Sequence, residues 1–149
     1  MSEITVDTNV VVFAIEDGEV NACAFLYECV TKNVLVLDHE QEIDKEYRGR
    51  FKGSMHNKRF EKWWMQVSAR ADRHVRYTNK VMAEDRQEFV RVRFSEKDWK
   101  FAGVCIRSAD KILVSEDTDF DCVRQYLEKK RGVSIKNINQ ILVEHRGAA

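Results

Sequence analysis

The chain has 149 residues, balances 25 Lys and Arg against 25 Asp and Glu, and is 44% hydrophobic. This length and apolar content fit one domain with a buried core, so we expect a single domain over residues 1–149. No uncharged apolar run is long enough to cross a bilayer or to form a signal peptide, which favours a soluble cytoplasmic protein with no membrane partner.

The cysteines lack the spacing of a zinc site and of a C-x-x-C motif, so neither a metal site nor a redox pair is indicated. Thiols of cytoplasmic proteins stay reduced, and free cysteines are usually buried. We therefore expect reduced, mostly buried thiols at Cys23, Cys29, Cys105 and Cys122.

The neutral total hides a separation of charge along the chain. Residues 1–44 contain ten acidic residues and the single basic residue Lys32, whereas residues 45–76 contain ten basic residues and three acidic ones. One interpretation is a pair of solvated faces that attract each other within the fold. The other is a cationic rim beside an acidic pocket, which would attract a phosphate backbone and hold metal ions where the backbone passes.

Apolar runs alternate with helical periodicity in the first part of the chain. Residues 4–7 and 34–38 are short apolar runs that end in an acid, and such runs are typical of strands covered on both faces. Apolar residues recur at steps of three and four after each run, which predicts helices at 19–31 and at 42–51. Residues 10–13 continue the first strand as a loop or as the first turn of a helix.

The pattern weakens over residues 52–93, where helical patches at 60–67 and 81–90 flank a middle part that is either strand or loop. It sharpens again after Phe94. In chain order we expect a helix capped by Ser95 and ending at Ser108, a strand at 111–114, a helix at 121–130 stopped by Gly132, a last strand within "VSIKNI" and a terminal helix within "NQILVEH".

Strands that alternate with helices predict an α/β fold with a mostly parallel sheet and helices on both faces. Ligands of such folds bind outside the carboxyl ends of the strands. Asp7, Asp117 and Asp119 lie at that edge, and Glu46 and Asp98 lie on helices that can lean over it. We therefore expect these acidic side chains to converge.

Converging carboxylates repel one another, and forcing a proton onto one costs about 1.4 kcal/mol per pKa unit. A hard divalent ion removes the repulsion, because Mg²⁺ and Mn²⁺ bind carboxylate oxygens and leave positions for phosphate oxygens. One ion activates a water, and a second, about 3.5 to 4 Å away, stabilises the leaving oxygen of a phosphodiester. The chemistry indicated is hydrolysis of a nucleic acid backbone.

Three segments, in this order and spacing, resemble the PIN domain of metal-dependent ribonucleases: "VDTNVV", "IDKEYRGRF" and "DWKFAGVCIRSADKILVSEDTDF". The likeness spans residues 4–125, and "VSIKNINQIL" stands where that family adds its last strand. The resemblance implies a three-layer α/β/α fold around a central, mostly parallel sheet.

The resemblance also implies the residues of the site. The catalytic acids, which bind Mg²⁺ or Mn²⁺, are Asp7, Glu46, Asp98 and Asp117. Asp119 shares the metal of Asp117 or holds its water. The residues whose hydroxyl and amide groups shape the pocket are Thr8, Asn9 and Ser115.

Several of these acids have an alternative role. Asp7 stands at a strand end, where an Asp usually starts a turn or caps the next helix. Asp98 lies three residues after Ser95, the spacing of a capping box that would serve only its own helix. Glu42 competes with Glu46 as the second acid. The acids expected in a turn or in solvent, away from the site, are Asp38, Asp110 and Asp121.

The basic stretch is interleaved with the aromatic residues Phe60, Trp63 and Trp64. Such a mixture suits a surface on which cations bind phosphates and aromatic rings stack on unpaired bases. The alternative is that the aromatic residues belong to the core. The cations predicted to contact nucleic acid are Arg48, Lys52, Lys58, Arg59 and Lys62.

The residues and the resemblance together predict a metal-dependent endoribonuclease that acts on single-stranded RNA, with DNA left open as a substrate. Small PIN proteins are often toxins that a small antitoxin protein inhibits and that form homodimers, and the resemblance extends that possibility to this chain. The alternative is a catalytically weak PIN-like module that binds protein or nucleic acid. An aspartyl phosphatase is disfavoured, because Asn9 stands where its second aspartate would be.

Overall fold

We describe a computed structural model of the chain that covers residues 1–147 and, for residues 145–147, the backbone alone. Its strands form one sheet in which every pairing is parallel, in the order β3-β2-β1-β4-β5. The strands are β1 (Glu3–Val6), β2 (Val34–Asp38), β3 (His74–Tyr77), β4 (Ile112–Val114) and β5 (Ser134–Lys136). The predicted parallel α/β sheet is confirmed, whereas residues 148–149 of the predicted domain lie outside the described residues.

Helices cover both faces of this sheet. The α-helices are α1 (Thr8–Ile15), α2 (Val20–Thr31), α3 (Glu42–Phe51), α4 (Asn57–Ser68), α5 (Ala83–Arg91), α6 (Trp99–Arg107), α7 (Asp121–Arg131) and α8 (Ile138–Gly147). Right-handed crossovers put α1 to α4 on one face and α5 to α7 on the other. The packing agrees, because α2 contacts α1, α4 and α8, while α6 lies across β1 to β4. The architecture is therefore the predicted three-layer α/β/α arrangement.

Some element boundaries differ from the sequence prediction. The first strand ends at Val6, so Asp7 follows the strand instead of closing it, and residues 10–13 lie inside α1. The stretch around residue 75, which the sequence left as strand or loop, is a half-buried edge strand, β3. Ser95 makes no side-chain capping bond, and a short 3₁₀ turn, Glu96–Asp98, precedes α6. At β3 the side chains are only half-buried, and residues 10–13 are an apolar run without helical spacing, so neither element has a clear periodic signal.

Two acids expected in a turn or in solvent have structural roles. Asp38 is fully buried, and its carboxylate accepts the backbone N–H groups of Glu42 at 2.9 Å and Ile43 at 3.1 Å. It therefore satisfies free donors at the start of α3. Asp110 accepts the backbone N–H of Glu3 at 2.7 Å. Asp121 is exposed, as expected.

The aromatic residues of the basic stretch belong to the core. Trp64 is 1% exposed and Trp63 donates its indole N–H to the carbonyl oxygen of Leu26 at 3.2 Å. Both rings pack edge-on against Tyr47 of α3, whose hydroxyl donates to the carbonyl oxygen of Val6. The interpretation that Trp63 or Trp64 stacks on RNA bases is wrong, because their faces are covered by protein.

The segment after β3 lies directly on α6. A β-carbon on Gly103 would be 2.2 Å from the carbonyl oxygen of Asn79, so only glycine permits this approach. Arg107 holds the same segment by donating to the carbonyl oxygen of Thr78 at 3.1 Å. Residues 78–82 are thereby fixed against the helix that begins beside Asp98.

All four cysteines are free, but only Cys29 and Cys105 are buried. The expectation of mostly buried thiols is wrong for Cys23 and Cys122, which are exposed. Among residues 1–147, no helix combines the length and the apolar character needed to cross a membrane.

Candidate active site

Five acidic side chains from separate parts of the chain line one open depression of about 370 Å³. Asp7 follows β1, and Asp117 and Asp119 follow β4, so all three lie at the carboxyl edge of the sheet. Glu46 comes from α3 and Asp98 from the turn before α6. The structure thus brings together all the acids predicted for the site. The other residues that line the depression are Thr8, Asn9, Arg50 and Lys97.

Asp7 is held in place at this depression by hydrogen bonds. Its backbone N–H donates to the carbonyl oxygen of Val114 at 3.0 Å, and its side chain makes no capping bond to α1. Instead, the Ser115 hydroxyl donates to Asp7 Oδ2 at 2.8 Å. Burial raises the pKa of Asp7 from 3.8 to about 7, opposed by the Ser115 hydrogen bond and reinforced by the charge of Asp98. The alternative role of Asp7 as a helix cap is not realised.

Asp98 is also buried, at 6% exposure, and its Oδ2 has no hydrogen-bond partner. Burial first, and then the charge of Asp119, raises the pKa of Asp98 from 3.8 to about 6. Its side chain caps neither the 3₁₀ turn nor α6. A buried carboxylate oxygen without a partner costs free energy, so this atom is available for a ligand.

Glu46 is bound on both carboxylate oxygens. The Thr8 hydroxyl donates to Oε2, and the Lys100 ammonium lies 2.7 Å from Oε1. The Lys100 side chain is only 10% exposed. Glu42, the competing second acid, lies outside the depression, where it accepts the side-chain amide of Asn79 at 3.0 Å. The geometry therefore favours Glu46 over Glu42.

The loop after β4 is shaped by its own polar groups. The backbone N–H of Asp117 donates to Ser115 Oγ at 3.1 Å, so Ser115 joins Asp7 to this loop. Asp117 Oδ1 accepts the backbone N–H of Asp119 at 3.1 Å. Burial and the neighbouring charge of Asp117 raise the pKa of Asp119. Asn9 Oδ1 accepts the backbone N–H of Glu116 at 3.3 Å, which ties α1 to the same loop.

Neither a protein-family model nor a curated protein sequence matches this chain. Among solved structures, it is similar to a chain in the crystal structure of VapBC2 from Rickettsia felis bound to a DNA fragment from their promoter. The two chains share 13% identity with a TM-score of 0.53, over 91% of this chain and 98% of the other. Such a likeness shows the fold alone. The chain has a PIN-like fold.

The donor set of this PIN-like fold suits Mg²⁺ or Mn²⁺, because every acidic group at the depression offers carboxylate oxygens and one of these, Asp98 Oδ2, is buried and unpaired. Among the side chains described, no three acidic, His or Cys residues already stand in position around one ion. The Lys100 ammonium instead neutralises Glu46, at 2.7 Å from Oε1.

The cations predicted to contact nucleic acid lie elsewhere on the PIN-like fold. All of them are exposed, but none lines the acidic depression. The positions predicted were Arg48, Lys52, Lys58, Arg59 and Lys62. Sequence reasoning missed the cations that do stand at the site, Arg50, Lys97 and Lys100. These cations could have been found from their closeness in the sequence to the predicted acids. Arg50 follows Glu46 by one helical turn, and Lys97 and Lys100 stand on either side of Asp98.

Proposed function

We propose that the chain is a metal-dependent endoribonuclease that cleaves single-stranded RNA. The observation that carries this proposal is the meeting of acids from four chain segments in one depression, with two of them, Asp7 and Asp98, buried. Such a group is unfavourable to the fold unless a cation compensates it, and oxygen ligands select Mg²⁺ or Mn²⁺. The PIN-like fold supports the same function.

In this proposal Asp7, Glu46, Asp98, Asp117 and Asp119 hold the metal. Bound metal supplies an activated water and charge stabilisation for the phosphodiester. Ser115 orients the Asp7 carboxylate, and Thr8 orients that of Glu46. Lys100 lies 2.7 Å from Glu46 Oε1, so its ammonium stands where it would contact a phosphate beside the acids.

The decisive experiment compares wild type with Asp7→Asn on labelled single-stranded RNA in Mn²⁺ and in EDTA. We expect cleavage only by the wild type and only with Mn²⁺, because Asn keeps the shape and the Ser115 contact of Asp7 but removes its charge. Asp121→Asn, which changes an exposed acid outside the depression, is the matched control and should cleave normally. Equal cleavage by wild type and Asp7→Asn would refute the assigned site.

The alternative is a catalytically weak module that binds protein or nucleic acid. The ion pair between Lys100 and Glu46 favours it, because the protein supplies its own cation to the second acid. Absence of cleavage by the wild type in both Mg²⁺ and Mn²⁺, together with no effect of either ion on thermal unfolding, would support this module.

We further propose a role as the cytoplasmic toxin of a toxin–antitoxin pair, inhibited by a small protein that covers the depression and acting as a homodimer. The similarity in fold to a chain of VapBC2 supports this role. Expression of the wild type in bacteria should arrest growth, whereas Asp7→Asn expressed at the same level should not. Normal growth with active wild-type protein present would contradict the toxin role, and light scattering of the pure protein tests the dimer.

A further inference from the structure

A second cavity of about 310 Å³ lies beside the acidic depression, and the charge of its lining has the opposite sign. Lys97 lines both. Lys100 lines the second cavity and reaches Glu46 in the first. A ligand that crosses the acids can therefore enter this cavity without leaving the protein surface.

The second cavity presents more positive than negative charge. Its cations are Lys80, Arg86, Lys97 and Lys100, and its acids are Glu42 and Glu96. Glu42 is already engaged by the amide of Asn79 at 3.0 Å. Lys80 and Lys97 are exposed, and within the described part of the chain neither forms an ion pair. The Lys80 ammonium is available to an anion, and that of Lys97, which also attracts Asp98 and Asp119, faces the same cavity.

The cavity also contains an aromatic ring held in a fixed orientation. Trp99 is half-buried, and its indole N–H donates to the carbonyl oxygen of Phe94 at 3.0 Å. Its ring packs against Phe89, with centroids 5.8 Å apart, while Arg86 lies over the ring at 5.9 Å. Trp63 and Trp64 are buried, so Trp99 is the tryptophan able to stack on a base from solvent. An arginine over an aromatic ring also suits stacking on a base.

We propose that this cavity is a nucleotide subsite, which binds the unpaired nucleotide next to the phosphodiester that lies at the acidic depression. The base stacks on the pair formed by Trp99 and the Arg86 guanidinium over its ring, and Lys80 and Lys97 contact the adjoining phosphates. Single-stranded nucleic acid is the class of ligand, because a base in a duplex offers no free face. The subsite rests on the proposed nuclease function for its orientation, but its binding can be measured without catalysis.

The test measures binding of a short 2′-O-methyl single-stranded RNA in EDTA, by anisotropy, at several salt concentrations. The double variant Lys80→Ala/Lys97→Ala should bind about tenfold more weakly, and the slope of log affinity against log salt should fall by about 0.7 for each phosphate that is no longer neutralised. The charge-matched control Lys129→Ala/Lys130→Ala, on exposed positions of α7, should bind like the wild type. Trp99→Leu should also weaken binding about tenfold, since base stacking contributes on that scale.

Three outcomes would overturn the subsite. They are unchanged affinity in both cavity variants, equal losses in the cavity and control variants, and a loss confined to Lys58→Ala/Lys62→Ala on α4. Because Trp99 also packs in the protein, the lysine variant keeps the test valid if Trp99→Leu fails to fold. If the lysine variant loses binding but the wild type does not cleave RNA, the nuclease function is rejected and the subsite is kept. If the wild type cleaves RNA and the lysine variant has an unchanged KM, the subsite is rejected and the nuclease function is kept.

Discussion

Metal-free Asp7→Asn protein is expected to be more stable than the wild type above pH 7, by roughly 4 kcal/mol in the free energy of unfolding. The reason is the pKa of Asp7, which burial raises from 3.8 to about 7 in the folded state. Between these two values the folded protein holds a proton that the unfolded chain has lost. Stability therefore falls as pH rises through this window, and Asn, which has no proton to lose, escapes the fall.

Urea unfolding in EDTA at a series of pH values from about 4 to 8 checks this expectation. The two proteins should be nearly equal at the acid end and diverge as pH rises. Added Mn²⁺ should stabilise the wild type at pH 8 and have little effect on Asp7→Asn, because binding to the folded state raises stability by mass action. A constant difference between the two proteins across the whole pH range would contradict the buried, protonated Asp7.

Gly103→Ala is expected to destabilise the protein by roughly 2 kcal/mol or more, although alanine is the better helix former. The new methyl group would lie 2.2 Å from the carbonyl oxygen of Asn79 and 2.8 Å from its carbonyl carbon. Both contacts are to backbone atoms, so no side-chain rotation relieves them. Residues 78–82 must move off α6, which also shifts the wall that carries Lys80.

Gly49→Ala is the matched control for this substitution. Gly49 also lies inside a helix, α3, but a β-carbon there would meet nothing within 4 Å. The expected effect is a gain of about 0.5 to 1 kcal/mol from helix propensity. Thermal unfolding of both variants measures the contrast, and a stable Gly103→Ala protein with unchanged oligonucleotide binding would show that the segment after β3 is not fixed as described.

The sheet and the meeting of the acids could be predicted because each rests on a local signal. Apolar runs that end in an acid identified β1 and β2, and an apolar run before the acidic cluster identified β4; the geometry of parallel sheets then put Asp7 and Asp117 at one edge. Glu46 was favoured over Glu42 from the sequence, and in the structure Glu46 lines the depression whereas Glu42 does not.

The remaining features depend on contacts that no local pattern reports. All four residues of the edge strand β3 are half-buried, so its sequence lacks an apolar run and resembles a loop. Its Arg76 binds Asp44 of α3 at 2.9 Å, a contact between residues far apart in the chain. Lys100 sits four positions along the chain from Glu96 and three from Lys97, yet its partner is the distant Glu46. The contacts predicted for the basic stretch followed charge density alone, which gives no information on which side of the fold a cation faces.

The hydroxyl of Tyr47 connects the packing of α4 to the positions of two acids at the depression. Tyr47 follows Glu46 in the chain, and its acceptor Val6 precedes Asp7, so this hydrogen bond joins the chain segments that carry the two acids. Its ring is supported by Trp63 and Trp64 of α4, a helix that contributes no acid to the depression. Misplacement of a reacting group by about 1 Å can cost on the order of a hundredfold in rate. Packing of Trp63 and Trp64 against Tyr47 therefore supports the relative position of Asp7 and Glu46, although α4 itself lies outside the depression.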